Sequence, residues 1–285
     1  MSTMPQTMTR PDTIELSHAG LDATQVQTAT NEYGEAVSVN VSSEHPLTLY
    51  IDKREIVTLM TLGTQPEALT LGYIRNQGFI DHVEQIKSLQ VDWETNSVAV
   101  ITHHGIDNIS DKLEKRTVTT GCGQGTMFGN MMDKLHEIKL PALPLKQSQI
   151  YQLLSNLNAD NAVYKSAGAV HGCALCEGTE RQYFIEDVGR HNAVDAIAGL
   201  MWLDGVKGDN KIFYTTGRLT SEMVIKVAQM GIPALLSRSG ITQMGLELAQ
   251  QLGITMIARA KGRHFNIFHG SENIVFDAIP AKRSE

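Results

Sequence analysis

The stretch QYFIEDVGRHNAVDAIAGLMWL, residues 182–203, decides the fold. Its apolar start predicts a strand over 182–185, and a turn around Gly189 leads to a predicted helix over 193–203. The same order of strand, glycine turn and helix returns at 211–230 and again at 233–252. This alternation predicts an α/β layered domain with a mixed, largely parallel sheet over residues 148–281.

The three turns share a composition that suits an anionic ligand. Each combines a glycine and an arginine with a capping Asn or Thr at the start of the following helix. Helix N-termini present free N–H groups, arginine adds paired donors, and such turns gather where strands end. We therefore predict an anion-binding crevice, although capped helices also need these residue types for structure alone. The candidate ligands are Gly189, Arg190, His191, Gly217, Arg218, Ser237 and Arg238.

A basic stretch follows, with three fixed positive charges and one histidine among six residues. A charge run between two strands is commonly a solvated hairpin loop. In a chain of net charge -7, the same run beside a predicted phosphate crevice also suits a pyrophosphate or nucleotide tail. The stretch consists of Arg259, Ala260, Lys261, Gly262, Arg263 and His264.

Cys122 lies in the glycine-rich stretch TTGCGQGT, residues 119–126, ahead of a predicted helix. Flanking glycines clear space around the thiol, and a helix N-terminus favours the thiolate over the thiol. Taken alone, the stretch is equally consistent with a small buried side chain in a glycine turn. Cys122 is nevertheless the candidate catalytic residue.

Cys173 and Cys176 form a Cys-x-x-Cys pair close to His171. Three ligands fall short of the four that a structural zinc site uses. On the predicted strand 169–175, Cys173 and Cys176 face opposite sides of the sheet, which disfavours a disulfide. The pattern favours buried strand cysteines and leaves a redox pair or a metal half-site as the alternative.

The remaining sequence sets the organisation and the compartment. Residues 1–34 are polar and lack the apolar core of a secretory signal, which predicts a disordered tail. A small α+β region is expected over 35–116, and a cysteine loop, helix and connector over 117–147. Three cysteines without a secreted framework indicate a cytoplasmic protein, and no apolar run is long enough for a membrane span. The acidic net charge gives no general attraction to nucleic acid.

The motifs resemble those of the formate dehydrogenase accessory sulfurtransferases, the FdhD family. The resemblance rests on EDVGRHNAVD at 186–195, TGRLTSEM at 216–223 and SRS at 237–239. The stretches PLT at 46–48 and LM at 59–60 and the Cys122 turn occur in the family's order, so the resemblance extends from about residue 35 to the C-terminus.

This resemblance implies a cytidine-deaminase-like core without zinc or any other metal held by the protein, and a cytoplasmic homodimer. It also implies that a cysteine desulfurase supplies sulfur as a persulfide on Cys122. The acceptor would be the bis(molybdopterin guanine dinucleotide) molybdenum cofactor of formate dehydrogenase, with its guanine nucleotide moiety held by residues 259–264.

The chain departs from the family pattern at Gly125, where the family has a second loop cysteine. A persulfide needs one sulfur, so a sulfurtransferase stays consistent with the sequence, but a resolving disulfide within the loop does not. The same departure motivates a second hypothesis, a chaperone that binds the cofactor without loading sulfur. A zinc hydrolase that uses His171, Cys173 and Cys176 is the third.

Overall fold

The computed structural model of the protein describes residues 14–106, 117–118, 125–126, 135 and 137–280. The strands are β1 Glu15–Leu16, β2 Thr24–Thr30, β3 Ala36–Ser42, β4 His45–Ile51, β5 Arg54–Thr61, β6 Ile86–Asp92, β7 Ser97–Thr102, β8 Thr117–Val118, β9 Gly125–Thr126, β10 Leu145–Lys146, β11 His171–Glu177, β12 Glu180–Asp187, β13 Ile212–Thr215, β14 Ala234–Ser237, β15 Thr255–Lys261, β16 His264–His269 and β17 Ile274–Val275. The helices are α1 Pro66–Asn76, α2 Gln147–Asp160, α3 Ala162–Ala167, α4 Arg190–Leu203, α5 Ser221–Gln229 and α6 Gln243–Leu252, with short 3-10 helices at Val83–Gln85 and Ser271–Asn273.

A six-stranded mixed sheet forms the C-terminal half, in the order β12-β11-β13-β14-β15-β16. Strands β13, β14 and β15 pair in parallel, whereas the outer pairings are antiparallel. Strands β12, β13, β14 and β15 therefore run in one direction, and β11 and β16 run in the opposite direction. Both central strands are buried on both faces, which explains why IFYT and ALLS show no polar alternation. The predicted α/β class is confirmed, although within this sheet parallel pairing is confined to β13, β14 and β15.

Helices cover both faces of this sheet. Helices α4, α5 and α6 pack on one face around Leu175, Phe213 and Leu235. Helix α2 packs on the other face, against Ala174 and Leu236. Neighbouring residues of one strand, such as Ala174 and Leu175, lie in different apolar clusters because successive side chains of a strand point to opposite faces of the sheet.

The N-terminal region contributes a second sheet, in the order β1-β6-β7-β4-β5, with helix α1 on its buried face. Helix α1 also packs directly on α4, and glycine allows the close approach. A Cβ on Gly72 would lie 1.6 Å from the Asp195 carbonyl oxygen, and one on Gly199 would lie 1.9 Å from the Ala68 oxygen. One apolar core therefore extends from the N-terminal sheet through α1 and α4 to the six-stranded sheet.

The predicted disordered tail is wrong for residues 14–34, which contain β1 and β2. Strand β2 pairs with β3 over seven residues, and β1 joins the edge of the N-terminal sheet. The side chain of Asn31 closes the β2–β3 turn by accepting the Tyr33 and Glu35 N–H groups. The polar composition of β2 suggested disorder because this strand is largely exposed instead of being buried in the core.

Two predicted boundaries also change. Helix α4 begins at Arg190, three residues before the predicted start, with Gly189 as its N-cap residue. Strand β15 extends to Lys261 and β16 starts at His264, so only Gly262 and Arg263 of the basic stretch form the turn. Residues 119–124 of the predicted cysteine loop, which include Cys122, lie outside the described residues, as do residues 127–134 and 136 of the helix predicted after it.

Candidate functional site

The turns at the ends of β12, β13, β14 and β15 lie at one edge of the six-stranded sheet. The Arg238 N–H donates to the Thr215 carbonyl at 3.1 Å, and the Arg259 N–H donates to the Ser239 carbonyl at 2.9 Å. On the other side, the Thr216 N–H donates to the Gly172 carbonyl at 2.9 Å. The gathering of these turns at one edge, which the alternation predicted, is confirmed.

A groove of about 650 Å³ opens between this edge and helix α2. Its basic residues are Arg238, Lys261 and Arg263, and Ala260 and Gly262 complete that wall. Among the described residues, none of the three cations forms an ion pair with a carboxylate. The opposite wall is the polar side of α2, formed by Ser148, Tyr151, Gln152, Ser155 and Asn158. The volume suits a nucleotide-sized ligand, and the charges suit an anionic one.

Buried Tyr214 positions Arg238 at the groove. Its hydroxyl forms a hydrogen bond with the Arg238 side chain, and burial raises the pKa of Tyr214 to about 12. The phenol is therefore protonated near neutral pH. Tyr214 lies on β13 and faces the same cluster as α2, so the arginine is supported from inside the sheet.

A second groove of about 870 Å³ lies along the same hairpin and shares Tyr151 and Arg263 with the first. Arg259 and His264 line this second groove instead of the first. A backbone irregularity explains the division, since Arg259 has a φ of 53° and the β15–β16 register shifts between Ala258 and Lys261. Such a bulge redirects side chains. The second groove also contains the aromatic residues Phe265, Phe268 and Phe276.

The other predicted ligands line neither groove within the described part of the chain. Arg190 is buried, and Gly217 packs against it so closely that a Cβ there would lie 2.7 Å from the Arg190 Cδ. Arg218 is exposed next to half-buried His171, whose pKa is lowered by burial and then by the charges of Arg190 and Arg218. The remaining predicted ligands in this group are Gly189, His191 and Ser237.

Ser237 is fully buried and holds two turns together. Its hydroxyl donates to the Gly217 carbonyl at 2.7 Å and accepts the Ser239 N–H at 2.9 Å. Sequence alone could not distinguish this connecting role from ligand binding, because a serine after a strand fits both.

His191 belongs to a buried charge network. Its Nε2 lies 3.5 Å from Glu222, while Lys226 donates to Asp195 at 2.8 Å and lies 3.6 Å from Glu222. Asp195 also accepts a hydrogen bond from the Asn76 side chain at 2.7 Å. Burial, followed by the charge of Lys226, lowers the pKa of His191 to about 3. His191 is therefore neutral near pH 7, and the network connects α4 and α5 with α1.

Asp187 has a comparable structural role at the start of α4. It accepts hydrogen bonds from the Thr61 hydroxyl at 2.6 Å, the Gly189 N–H at 3.0 Å and the Asn192 amide at 2.8 Å. The Asn192 amide also donates to the Met60 carbonyl. The predicted capping role of Asn192 is therefore wrong: its side chain ties the N-terminal sheet to the turn before α4.

Both described cysteines are buried and free. Cys173 faces the cluster under α4 to α6, and Cys176 faces the cluster under α2. Burial raises the pKa of each thiol to about 12. The interpretation as buried strand cysteines on opposite faces is confirmed. Across the described residues, no group of three or more His, Cys, Asp or Glu side chains is arranged to hold a metal ion.

Sequence reasoning missed helix α2 as a wall of the groove. Its polar residues recur at helical spacing, which is also typical of a solvated helix face. The C-terminal segment fixes this helix in place, because Asp277 accepts hydrogen bonds from the Ser148 N–H at 2.9 Å and hydroxyl at 2.7 Å. Nothing in the sequence around Asp277 indicates this long-range capping contact.

In the described ranges, no helix has both the length and the apolar character needed to cross a membrane.

The fold and the groove define an α/β protein with a basic, nucleotide-sized ligand site beside the edge where its strands end. The model of the FdhD/NarQ family matches residues 42–275. The chain belongs to the FdhD/NarQ family.

Similar proteins carry a functional name. The sulfur carrier protein FdhD of Wolinella succinogenes is 28% identical over 246 residues, which cover 85% of this chain and 85% of that protein. The FdhD of Listeria innocua is 30% identical over 242 residues, 84% of this chain and 92% of the relative. The structure is also similar to the crystal structure of a protein assigned as a formate dehydrogenase accessory protein from Desulfotalea psychrophila. That match has a TM-score of 0.72 and 29% identity, and it covers 88% of this chain and 98% of the other.

Proposed function

We propose that this chain is a sulfur carrier for formate dehydrogenase maturation. In this proposal Cys122 accepts sulfur from a cysteine desulfurase and passes it to the bis(molybdopterin guanine dinucleotide) molybdenum cofactor. The observation that carries the proposal is the groove where Arg238, Lys261 and Arg263 meet without carboxylate partners among the described residues. Membership in a family with relatives named sulfur carriers supports it.

The loading step needs one ionisable thiol. The Cys122 thiolate attacks the terminal sulfur of the donor's persulfide, so a new S–S bond forms on Cys122 and the donor leaves as a thiolate. Cys173 and Cys176 do not suit this step, because burial keeps both thiols protonated. In the delivery step the terminal sulfur passes to the acceptor, which supplies two electrons, and Cys122 returns to the thiol.

The groove suits the nucleotide part of the acceptor. A guanosine diphosphate tail carries two phosphates, and Arg238, Lys261 and Arg263 offer charged donors for them. Tyr151 offers an aromatic face, and Gln152 and Asn158 on α2 offer amide groups for the edge of a base. We assign the diphosphate to the hairpin wall and the base to the helix wall.

The decisive experiment is sulfur loading in the presence of a cysteine desulfurase and cysteine, followed by intact mass measurement. The wild-type chain should gain one sulfur atom, and Cys122→Ser should gain none and should fail to mature formate dehydrogenase. Cys176→Ala is the matched control, and we expect it to load sulfur normally.

Loading of Cys122→Ser to the wild-type level would contradict the proposed role of Cys122. If Cys122→Ser instead matured formate dehydrogenase as well as the wild type while loading no sulfur, the chain would be a cofactor-binding chaperone.

A further inference from the structure

A β-hairpin formed by β2 and β3, residues 24–42, stands apart from both large sheets and is called the β-arm here. It forms its own two-stranded sheet and is attached at its base. There the Ser43 N–H donates to the Ala23 carbonyl at 2.9 Å, and the Ser42 hydroxyl donates to the Gly168 carbonyl at 2.7 Å. Val26 is 69% exposed, and Val41 is 46% exposed. An isolated hairpin that exposes valine gains little stability from its own contacts.

The outer edge of β2 has the properties of an edge that can hydrogen-bond to a further β-strand. Helix α3 packs beside β3, whereas β2 pairs with β3 alone among the described strands. Proteins usually protect such an edge with charged residues or proline. The strands TQVQTAT and AVSVNVS contain neither. Within the part of the chain that the structure describes, the outer edge of β2 therefore has no strand partner, and the strand carries no charge.

The sequence of β2 is complementary to itself. Residues 24–28 read TQVQT, which is the same in both directions around Val26. In an antiparallel pairing centred on Val26, valine faces valine, Gln25 faces Gln27 of the other copy, and Thr24 faces Thr28. Threonine pairs and pairs of apolar β-branched residues are favourable across antiparallel strands. No like charges oppose each other in this register.

We propose that two copies of this chain pair antiparallel through their β2 edges, with Val26 on the two-fold axis. The two β-arms then form one four-stranded ribbon in the order β3-β2-β2-β3. A two-fold interface of this kind uses the same surface on both subunits. A second copy fits better than an unrelated protein because the palindrome matches itself.

The net charge of -7 also favours this surface, because two such chains repel each other except where they are uncharged. The family match begins at residue 42, so nearly all of the β-arm lies outside the matched region. The inference does not depend on the proposed sulfur-carrier function.

Cysteine cross-linking tests the register directly. On the two-fold axis, the Cα atoms of residue 26 in the two copies would be about 4.5–5.5 Å apart, within the usual range for a disulfide. Val26→Cys in a Cys122→Ser background should therefore form a covalent dimer under mild oxidation. Val39→Cys is the matched control, because its two copies would be separated by three strand spacings, about 14 Å. The buried thiols of Cys173 and Cys176 should not react.

Absence of cross-linking in Val26→Cys, or equal cross-linking in Val39→Cys, would overturn the proposal.

Sedimentation of the otherwise unmodified chain gives a second test. The wild type should be a dimer, and Val26→Glu should raise its dissociation constant at least about a hundredfold by placing two carboxylates on the axis. Val39→Glu adds the same charge to the same β-arm and should stay dimeric. A monomeric wild type, or a dimer unaffected by Val26→Glu, refutes the pairing. A monomer whose Val26→Glu variant loses desulfurase binding would also refute it, because the β-arm would then bind another protein.

Discussion

The buried charge network and the groove use similar residues in opposite ways. In the network, Lys226 is 2% exposed and lies within ion-pair distance of both Asp195 and Glu222. Burial acts to lower the pKa of Lys226, but the two carboxylates raise it, so the ammonium group stays charged. In the groove, Lys261 is exposed and forms no ion pair with any described carboxylate. A buried lysine that is ion-paired with carboxylates therefore stabilises the fold, whereas an exposed lysine without such a pair is available to bind an anionic ligand.

The largest expected effect distinguishes the two lysines by stability. Lys226→Met leaves two carboxylates buried without their ammonium partner, so we expect a loss of about 3–5 kcal/mol in the free energy of unfolding. Lys261→Met changes the same residue type at the exposed groove and should alter stability by no more than about 0.5 kcal/mol. Urea unfolding followed by circular dichroism measures both values. Equal losses in the two variants would remove the proposed distinction.

The affinity for guanosine diphosphate tests whether the basic residues of the groove bind a nucleotide. Arg238→Ala and Lys261→Ala each remove a charged donor, and we expect each to weaken binding of guanosine diphosphate about 10- to 100-fold. Isothermal titration calorimetry measures the affinity. Lys87→Ala is the control, because it removes an exposed positive charge from β6, which lines neither groove. Wild-type affinity in both groove variants would show that the basic wall does not bind the nucleotide.

The third test concerns the pH dependence of stability, and its effect is small at any single pH near neutrality. The pKa of His191 falls from an ordinary value of 6.5 to about 3 in the folded chain, mainly through burial. The unfolded chain therefore binds more protons between about pH 6.5 and pH 3, so stability falls as the pH falls through that window. His191→Gln should reduce this slope by up to about 1.4 kcal/mol per pH unit.

Unfolding measured at several pH values between 7 and 4 gives the slope for the wild type and for His191→Gln. The buried carboxyls of Asp187 and Asp195 have raised pKa values and act with the opposite sign, but they are present in both proteins and cancel in the difference. Identical slopes would show that His191 is protonated equally in both states.

The sequence predicted the alternation after residue 148 well, since repeated strand, glycine turn and helix signals depend on local backbone preferences. It also placed the turns of Arg238 and Lys261 near each other. It could not decide which turn residues face a groove. Ser237 and Arg238 are adjacent, yet the Ser237 side chain is buried and the Arg238 side chain lines the groove. That difference arises from contacts with Gly217 and Tyr214, which are distant along the chain.

Strand β2 and the role of helix α2 as a groove wall were missed for related reasons. Strand β2 carries no buried stripe, so polar composition suggested disorder in place of a hairpin. The polar side of α2 has the spacing of any solvated helix face, and its role depends on a groove that the six-stranded sheet creates. Cys122 stays the predicted catalytic residue on the strength of its sequence context.

The glycine contact between α1 and α4 has a consequence for thermal unfolding. Because Gly72 and Gly199 bring the two backbones into contact, neither sheet can melt without uncovering the other's interior. Heating should thus give one calorimetric transition, with matching van't Hoff and calorimetric enthalpies, in place of two successive ones.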